Sequence, residues 1–306
     1  MNSSNTKKSK ILVVAYDAGG AEILAAYVKK HFTKNDFCVY AGGPAVRIFK
    51  REKIPQKSIL PSTKKNLTNI IAKESDSDLV LLGTGIMTKT ERHALEIAKK
   101  FGLKTAAYLE SWVYYRERFG YPKENWRKNL PDEIWVGDKY ALRLARRNFG
   151  RRIPIRFVAN EYFKNIIDRY KKGIRRSSPP REILFLSLGL TKGIQEIFGE
   201  MLQFIYLQKK PHVVRIRFHP ADDRKRYDTL IRKYSGRIII KKSREKDIVR
   251  DLLHASVVIG TNTVAMIPAV LVKKKTISII SPTMKSELPH HQIIKVRSVA
   301  KAVTLI

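Results

Sequence analysis

One cysteine stands among 306 residues, which excludes an internal disulfide framework. Cys38 sits in the apolar run Phe37-Cys38-Val39-Tyr40, with no Cys or His at metal-ligand spacing, and reads as a buried strand thiol. No metal and no resident cofactor are expected. This cysteine usage fits a reducing cytoplasm. Long apolar runs are also missing, since no segment approaches the roughly 20 residues that a spanning helix needs. The basic N-terminus, residues 1–10, precedes an apolar strand too short to be a signal-peptide core. The expectation is a cytoplasmic protein whose membrane contact is at most peripheral, at the inner face. Acidic residues are few: 27 Asp and Glu face 61 Lys and Arg, a formal charge of +34. Such a field concentrates nucleic acid, anionic head groups and phosphorylated metabolites alike. A lysine-inflated proteome produces the same excess without function.

What is present is an alternation. Hydrophobic residues make up 43% of the chain, too many for wholesale disorder, and the length suits two domains. Short β-branched runs at 11–15, 37–40, 79–82, 104–109 and 133–136 read as buried parallel strands separated by helices. Between Lys164 and Arg181 the rhythm lapses into charged, small and proline residues, a linker composition. It restarts with strands at 183–188, 213–218, 237–240, 257–259 and 276–280, and with helices that include 193–207, 245–254 and 263–272. The predicted fold is α/β: two Rossmann-like domains with parallel sheets facing a central cleft. Their bounds are 1–170 and 182–306, joined by a basic linker at 171–181.

In open parallel sheets, ligands bind beyond the carboxyl ends of the strands. Asp17-Ala18-Gly19-Gly20 follows the first strand. Its glycines suit either a close ligand approach or a tight turn, and Asp17 either a cleft-facing carboxylate or a helix cap. The spacing is not that of a dinucleotide-binding loop. Gly260-Thr261-Asn262-Thr263 is a Gly-led turn with three hydrogen-bonding side chains at a helix start, built to hold phosphate oxygens or simply to cap. His219 emerges from Arg217-Phe218-His219-Pro220 at the same edge. Ser187, Gly189 and Lys192 lie in a loop that lacks Walker spacing but suits a phosphate. Glu110 opens the dense segment Glu110–Phe119. Partial burial would suit it to general-base work, unless it pairs with Arg116 or Arg118 as part of a packing segment.

With these positions in hand, the chain resembles the GT-B superfamily of glycosyltransferases and nucleotide-sugar epimerases, particularly those of bacterial surface-polysaccharide synthesis. The residues that carry the likeness are Arg217-Phe218-His219-Pro220, Ser256 through Thr263, the strand Thr276–Ile279 and the block Leu130–Tyr140. The resemblance implies a nucleotide-sugar donor in the second domain, its diphosphate at Gly260, Thr261, Asn262 and Thr263 with His219, Ser187, Gly189 and Lys192. It implies a glycan or lipid-linked acceptor in the first, beside Gly19 and Gly20, with Glu110 or Asp17 as base. Pro268 stands where many members carry a ribose-binding Glu, and inside the predicted helix it implies a kink.

Three functions follow. A glycosyltransferase uses the donor loop, the base and a basic surface, since each surface Lys or Arg adds about 1 kcal/mol to binding an anionic membrane. A nucleotide-sugar 2-epimerase needs several carboxylates and a His around the sugar, for which Asp17, Glu110 and His219 are available. A nucleic-acid-binding protein rests on charge alone, without a helix-turn-helix, zinc or RRM pattern, so no nucleic-acid partner is expected.

Overall fold

The computed structural model describes residues 8–86, 88–123, 125–174, 181–189, 193–208, 211–219, 222–244, 248–280 and 288–306. The chain divides into two compact units, Met1–Tyr162 and Phe163–Ile306.

Unit 1 runs β1 (Ser9–Ala15), α1 (Ala18–His31), β2 (Asn35–Ala41), α2 (Pro44–Arg51), β3 (Lys57–Ser58) and α3 (Lys64–Lys73). It continues with β4 (Leu79–Leu82), α4 (Thr90–Lys100), β5 (Thr105–Tyr108), β6 (Glu133–Val136), α5 (Lys139–Phe149) and β7 (Ile155–Phe157). All pairings are parallel, in the order β3-β2-β1-β4-β5-β6-β7. Strand β1 is central, and Leu12, Val13, Val14 and Ala15 are fully buried, as a strand covered on both faces requires. The buried stripe Ala21, Leu24, Ala25 and Val28 lays α1 on this sheet. That packing fixes the start of α1 at the carboxyl edge of β1.

Helix α6 (Glu161–Ile174) leads into unit 2, which comprises β8 (Glu182–Leu186), α7 (Ile194–Leu207), β9 (His212–Arg217) and α8 (Asp228–Tyr234). Then come β10 (Ile238–Lys242), α9 (Ile248–His254), β11 (Ala255–Gly260), α10 (Ile267–Leu271), β12 (Lys275–Ile279), β13 (Ile294–Val296) and α11 (Val299–Val303). The order β10-β9-β8-β11-β12-β13 is again all parallel. Phe198 of α7 packs its ring 4.9 Å from Phe185 of β8 and 5.8 Å from Tyr227, anchoring the helix over the central strand.

The two Rossmann-like parallel sheets are those expected. The lapse in pattern from Lys164 is not, because that stretch is helical through Ile174. Phe163, Ile166 and Tyr170 are buried at helical spacing, and this apolar stripe outweighs the charge between them. Of the stretch read as a linker, residues 171–174 are thus the last turn of α6, and 175–180 lie outside the described residues. The helix expected over 263–272 is split into a 3-10 turn, Val264–Met266, and the short α10. Pro268 falls in the first turn of α10, where its missing N–H costs nothing, so it stands at a helix start and not inside one. Among the described residues no helix is long and apolar enough to cross a membrane.

Candidate functional site

Each sheet has its first strand in the middle, with the second strand on one side and the fourth on the other. The chain direction reverses between β1 and β4 in unit 1 and between β8 and β11 in unit 2. Such switch points open a crevice at the carboxyl edge, because the flanking helices depart to opposite faces. The predicted residues gather at these two places.

In unit 1, two backbones close the base of the crevice: a Cβ at Gly20 would lie 3.1 Å from the Cα of Gly83. A side chain at Gly20 would therefore crowd the backbone of Gly83. Asp17 is the N-cap residue of α1, yet its side chain makes no capping bond to the helix. Its carboxylate lies across Gly85, where a Cβ would fall 2.0 Å from Oδ2. Glu110, two residues beyond β5, packs its Cγ 2.9 Å from the place a Cβ at Gly19 would take. Its carboxylate is held from two sides, by the Thr84 hydroxyl and by the Arg118 guanidinium. Arg118 is buried and also donates to the Thr84 carbonyl. Glu110 is thus locked in the ion pair foreseen as its alternative, at the heart of a packed segment. Within that segment Trp112, Tyr115 and Phe119 are buried, and Trp112 Nε1 donates to Asp138 Oδ2 at 2.8 Å.

Glu91, in the first turn of α4, was not among the predicted site residues. Its Oε1 accepts from the backbone N–H of Tyr16 at 2.9 Å and of Asp17 at 3.2 Å, and its Oε2 accepts from the Thr88 hydroxyl at 3.2 Å. It is 4% exposed and has no ion pair among the described residues. Burial, reinforced by the negative charge of Asp17, pushes its pKa up to about 7. A first-turn Glu reads in sequence as an ordinary helix-dipole partner, and only the fold reveals that it faces inward.

In unit 2, Gly260 ends β11 beside Leu186 of β8, so Ser187 and Thr261 leave adjacent strands. Ser187 Oγ accepts from the His219 backbone N–H at 2.7 Å, tying the ends of β8 and β9 together. Gly189, at φ +69°, leaves room for the His219 ring: a Cβ there would lie 2.8 Å from Nδ1. His219 is exposed, though the protein around the ring lowers its pKa, with Asp222 opposing. Asn262 takes φ +51°; its N–H donates to Ser278 Oγ at 3.0 Å and its Oδ1 accepts from the Leu288 N–H at 2.6 Å. Thr263 Oγ1 accepts from the Ala265 N–H at 3.4 Å, which is the cap reading. Thr261 is 3% exposed and its hydroxyl has no hydrogen-bond partner among the described residues. Only the 3-10 turn and the five-residue α10 follow, so little helix dipole is available here. Hydroxyls and backbone N–H groups are the donors. Lys192 lies outside the described residues.

Cys38 is half-buried and its Sγ contacts Glu74 Oε1 at 3.1 Å; burial pushes its pKa up. Among the described residues no cluster of His, Cys, Asp and Glu could hold a metal ion.

No protein-family model matches the chain, and no curated protein matches its sequence. Solved structures match its fold. The UDP-N-acetylglucosamine 2-epimerase from Rickettsia bellii superposes with a TM-score of 0.67 at 13% identity, covering 98% of this chain and 88% of that one. The 2-epimerase from Neisseria meningitidis bound to UDP-GlcNAc gives 0.64 at 12% identity, over 96% and 90%. A glycosyltransferase from Rickettsia africae gives 0.58 at 16% identity, over 98% and 87%. The chain has the GT-B fold, which unites transferases and epimerases.

Proposed function

We propose that the chain is a nucleotide-sugar enzyme, and specifically a glycosyltransferase that hands a sugar to a surface-glycan or lipid-linked acceptor. The nucleotide-sugar part draws on the fold likeness, since a neighbour of this fold was crystallised with UDP-GlcNAc. The observation that carries it is the buried hydroxyl of Thr261 at the β8/β11 switch point, unpartnered among the described residues. A hydroxyl left unpaired costs about 1–3 kcal/mol, a cost that a diphosphate oxygen would remove. Ser187, His219, Gly260, Asn262 and Thr263 frame the same place, and the basic surface suits both an anionic donor and peripheral contact with an anionic membrane.

In transfer, the acceptor oxygen bonds to the anomeric carbon as the bond from that carbon to the diphosphate oxygen breaks. The nucleoside diphosphate leaves with the electron pair, and the acceptor proton passes to a carboxylate. Glu110 is engaged by Arg118 and Thr84, so the base on this reading is Asp17. Glu91 orients it through the Asp17 N–H.

The test is thermal stabilisation of the full chain by a panel of nucleotide sugars, followed by product analysis with the one that binds. A raised melting point and a sugar on an added acceptor are expected. Inversion at C2 without transfer would replace the transferase by a 2-epimerase, and no stabilisation by any donor would remove the proposal.

A further inference from the structure

Within unit 1, against the start of α4, is a cavity of about 470 Å³. Small-molecule sites have volumes of this order. The start of α4 lines it with Lys89 and Arg92, and the loop after the 3-10 turn Glu117–Phe119 adds Lys123. None of these three cations has an ion pair among the described residues. Glu96 also lines the cavity, but Lys64 at 2.9 Å and Lys100 at 3.2 Å already neutralise it. Among the described lining residues, Glu117 alone remains as a counter-charge.

Helix stability does not explain the placement. Lys89 is the N-cap residue of α4 and makes no side-chain cap, and cations at a helix start oppose the macrodipole. The wall is also shaped around one of them. Gly120, at φ +106°, lets Arg92 Nη1 lie 3.2 Å from where a Cβ would stand. The rim carries two exposed apolar side chains, Ile86 (38%) and Tyr121 (42%). Burial, and then the charge of Lys64, hold the pKa of His93 below the usual imidazole value, which disfavours the protonated form.

We propose that this cavity binds a phosphate ester bearing an apolar or aromatic group, its phosphate on Lys89, Arg92 and Lys123 and its apolar part against Ile86 and Tyr121. Cationic side chains fixed around a phosphate form charge-assisted hydrogen bonds, the stronger kind. On the transfer reading, on which this step alone rests, the occupant is the acceptor, because Ile86 directly follows the Gly85 that Asp17 covers.

Calorimetric titration of the full chain tests it, with geranyl diphosphate and phenyl phosphate as probes and geraniol as the uncharged control. Both esters bind and geraniol does not. Tighter binding of geranyl diphosphate points to a lipid-linked source, and of phenyl phosphate to a soluble one. The triple variant Lys89→Ala, Arg92→Gln, Lys123→Ala weakens both esters by about tenfold or more. A charge-matched control, Lys34→Ala, Lys65→Ala, Lys73→Ala, changes them by less than about twofold, because exposed lysines away from the cavity act only through a screened field. Both triples are checked for native melting. Equal losses in the two triples, no binding of either ester, or displacement of the ester by a nucleotide sugar overturns the proposal. If esters bind in this pattern while no nucleotide sugar does, the donor reading fails and the cavity stands.

Discussion

The two units share a strand order and differ in what their switch points display. Between β1 and β4 stand carboxylates: Asp17 over Gly85, Glu91 beneath the Tyr16–Asp17 turn and Glu110 against Arg118. At the β8/β11 switch point stand hydroxyls and an amide, Ser187, Thr261, Thr263 and Asn262, the last held by Ser278 of β12. The buried acids of unit 2 are neutralised, Asp251 by Arg217 at 2.8 Å and Glu182 by Arg215 at 2.6 Å. Glu91 of unit 1 has no such cation among the described residues. An anion is repelled by carboxylates and held by neutral donors, while a carboxylate can accept a proton. One topology thus yields a place suited to proton transfer and a place suited to anion binding.

The sharpest way to break this contrast is Asp17→Asn. If unit 1 does the proton chemistry, turnover falls by about 10²–10⁴-fold, the share of general-base catalysis, while stabilisation by the donor is unchanged. Rate measurements beside donor melting curves check both halves. Weakened donor binding with intact turnover would reverse the roles of the units.

Glu110→Gln comes next, and its effect falls on the fold. Neutralising one member of a buried pair leaves Arg118 uncompensated, which costs about 3 kcal/mol. Denaturant unfolding should therefore show the loss, with Glu110→Gln/Arg118→Met recovering much of it. A variant of native stability and abolished turnover would return Glu110 to the role of base.

The third prediction concerns Glu91→Gln. Burial raises the folded pKa of Glu91 from 4.5 to about 7, so the fold prefers the protonated form. Its contribution is complete below about pH 4 and is lost as pH rises through 7, a swing of about 3 kcal/mol. A glutamine keeps an acceptor for the Tyr16 and Asp17 N–H groups without the charge. The variant should lack that part of the pH dependence and be the more stable protein at pH 8. Parallel pH–stability curves between pH 4 and 8 would show that folding does not raise the pKa of Glu91.

How far the sequence disclosed this follows from what each signal encodes. Buried central strands such as Ile11–Ala15 and Leu79–Leu82 are continuous apolar runs, so both sheets were legible. The short strands Lys57–Ser58, Ile155–Phe157 and Ile294–Val296 carry no comparable run and passed unnoticed. Helix α6 was hidden because its stripe of Phe163, Ile166 and Tyr170 is thin beside its charges. Loop residues at strand ends, Asp17 and Thr261 among them, could be located because position relative to a strand is a sequence property. Glu91 could not, since its role depends on α4 packing its first turn against the end of β1, a contact 75 residues away along the chain.

The smallest expected effect tests the other half of the contrast, and two measurements should move in opposite directions. Thr261→Val keeps the shape of the side chain and removes a hydroxyl that is buried without a partner. Where the orphaned group is deleted, the free protein should be as stable as the parent or more so, by up to about 1 kcal/mol. If unit 2 holds the donor through that hydroxyl, the same change removes a hydrogen bond to a charged oxygen and weakens nucleotide-sugar binding by about 1–3 kcal/mol. Adding Thr263→Ala should deepen the loss, but it also removes the contact to the Ala265 N–H and so costs stability, which the single variant does not. A stabilised Thr261→Val protein with unaltered donor affinity would place the diphosphate elsewhere and leave the hydroxyl as a packing defect. A destabilised one would mean that the hydroxyl already has a partner in the free protein, removing the observation on which the donor site stands.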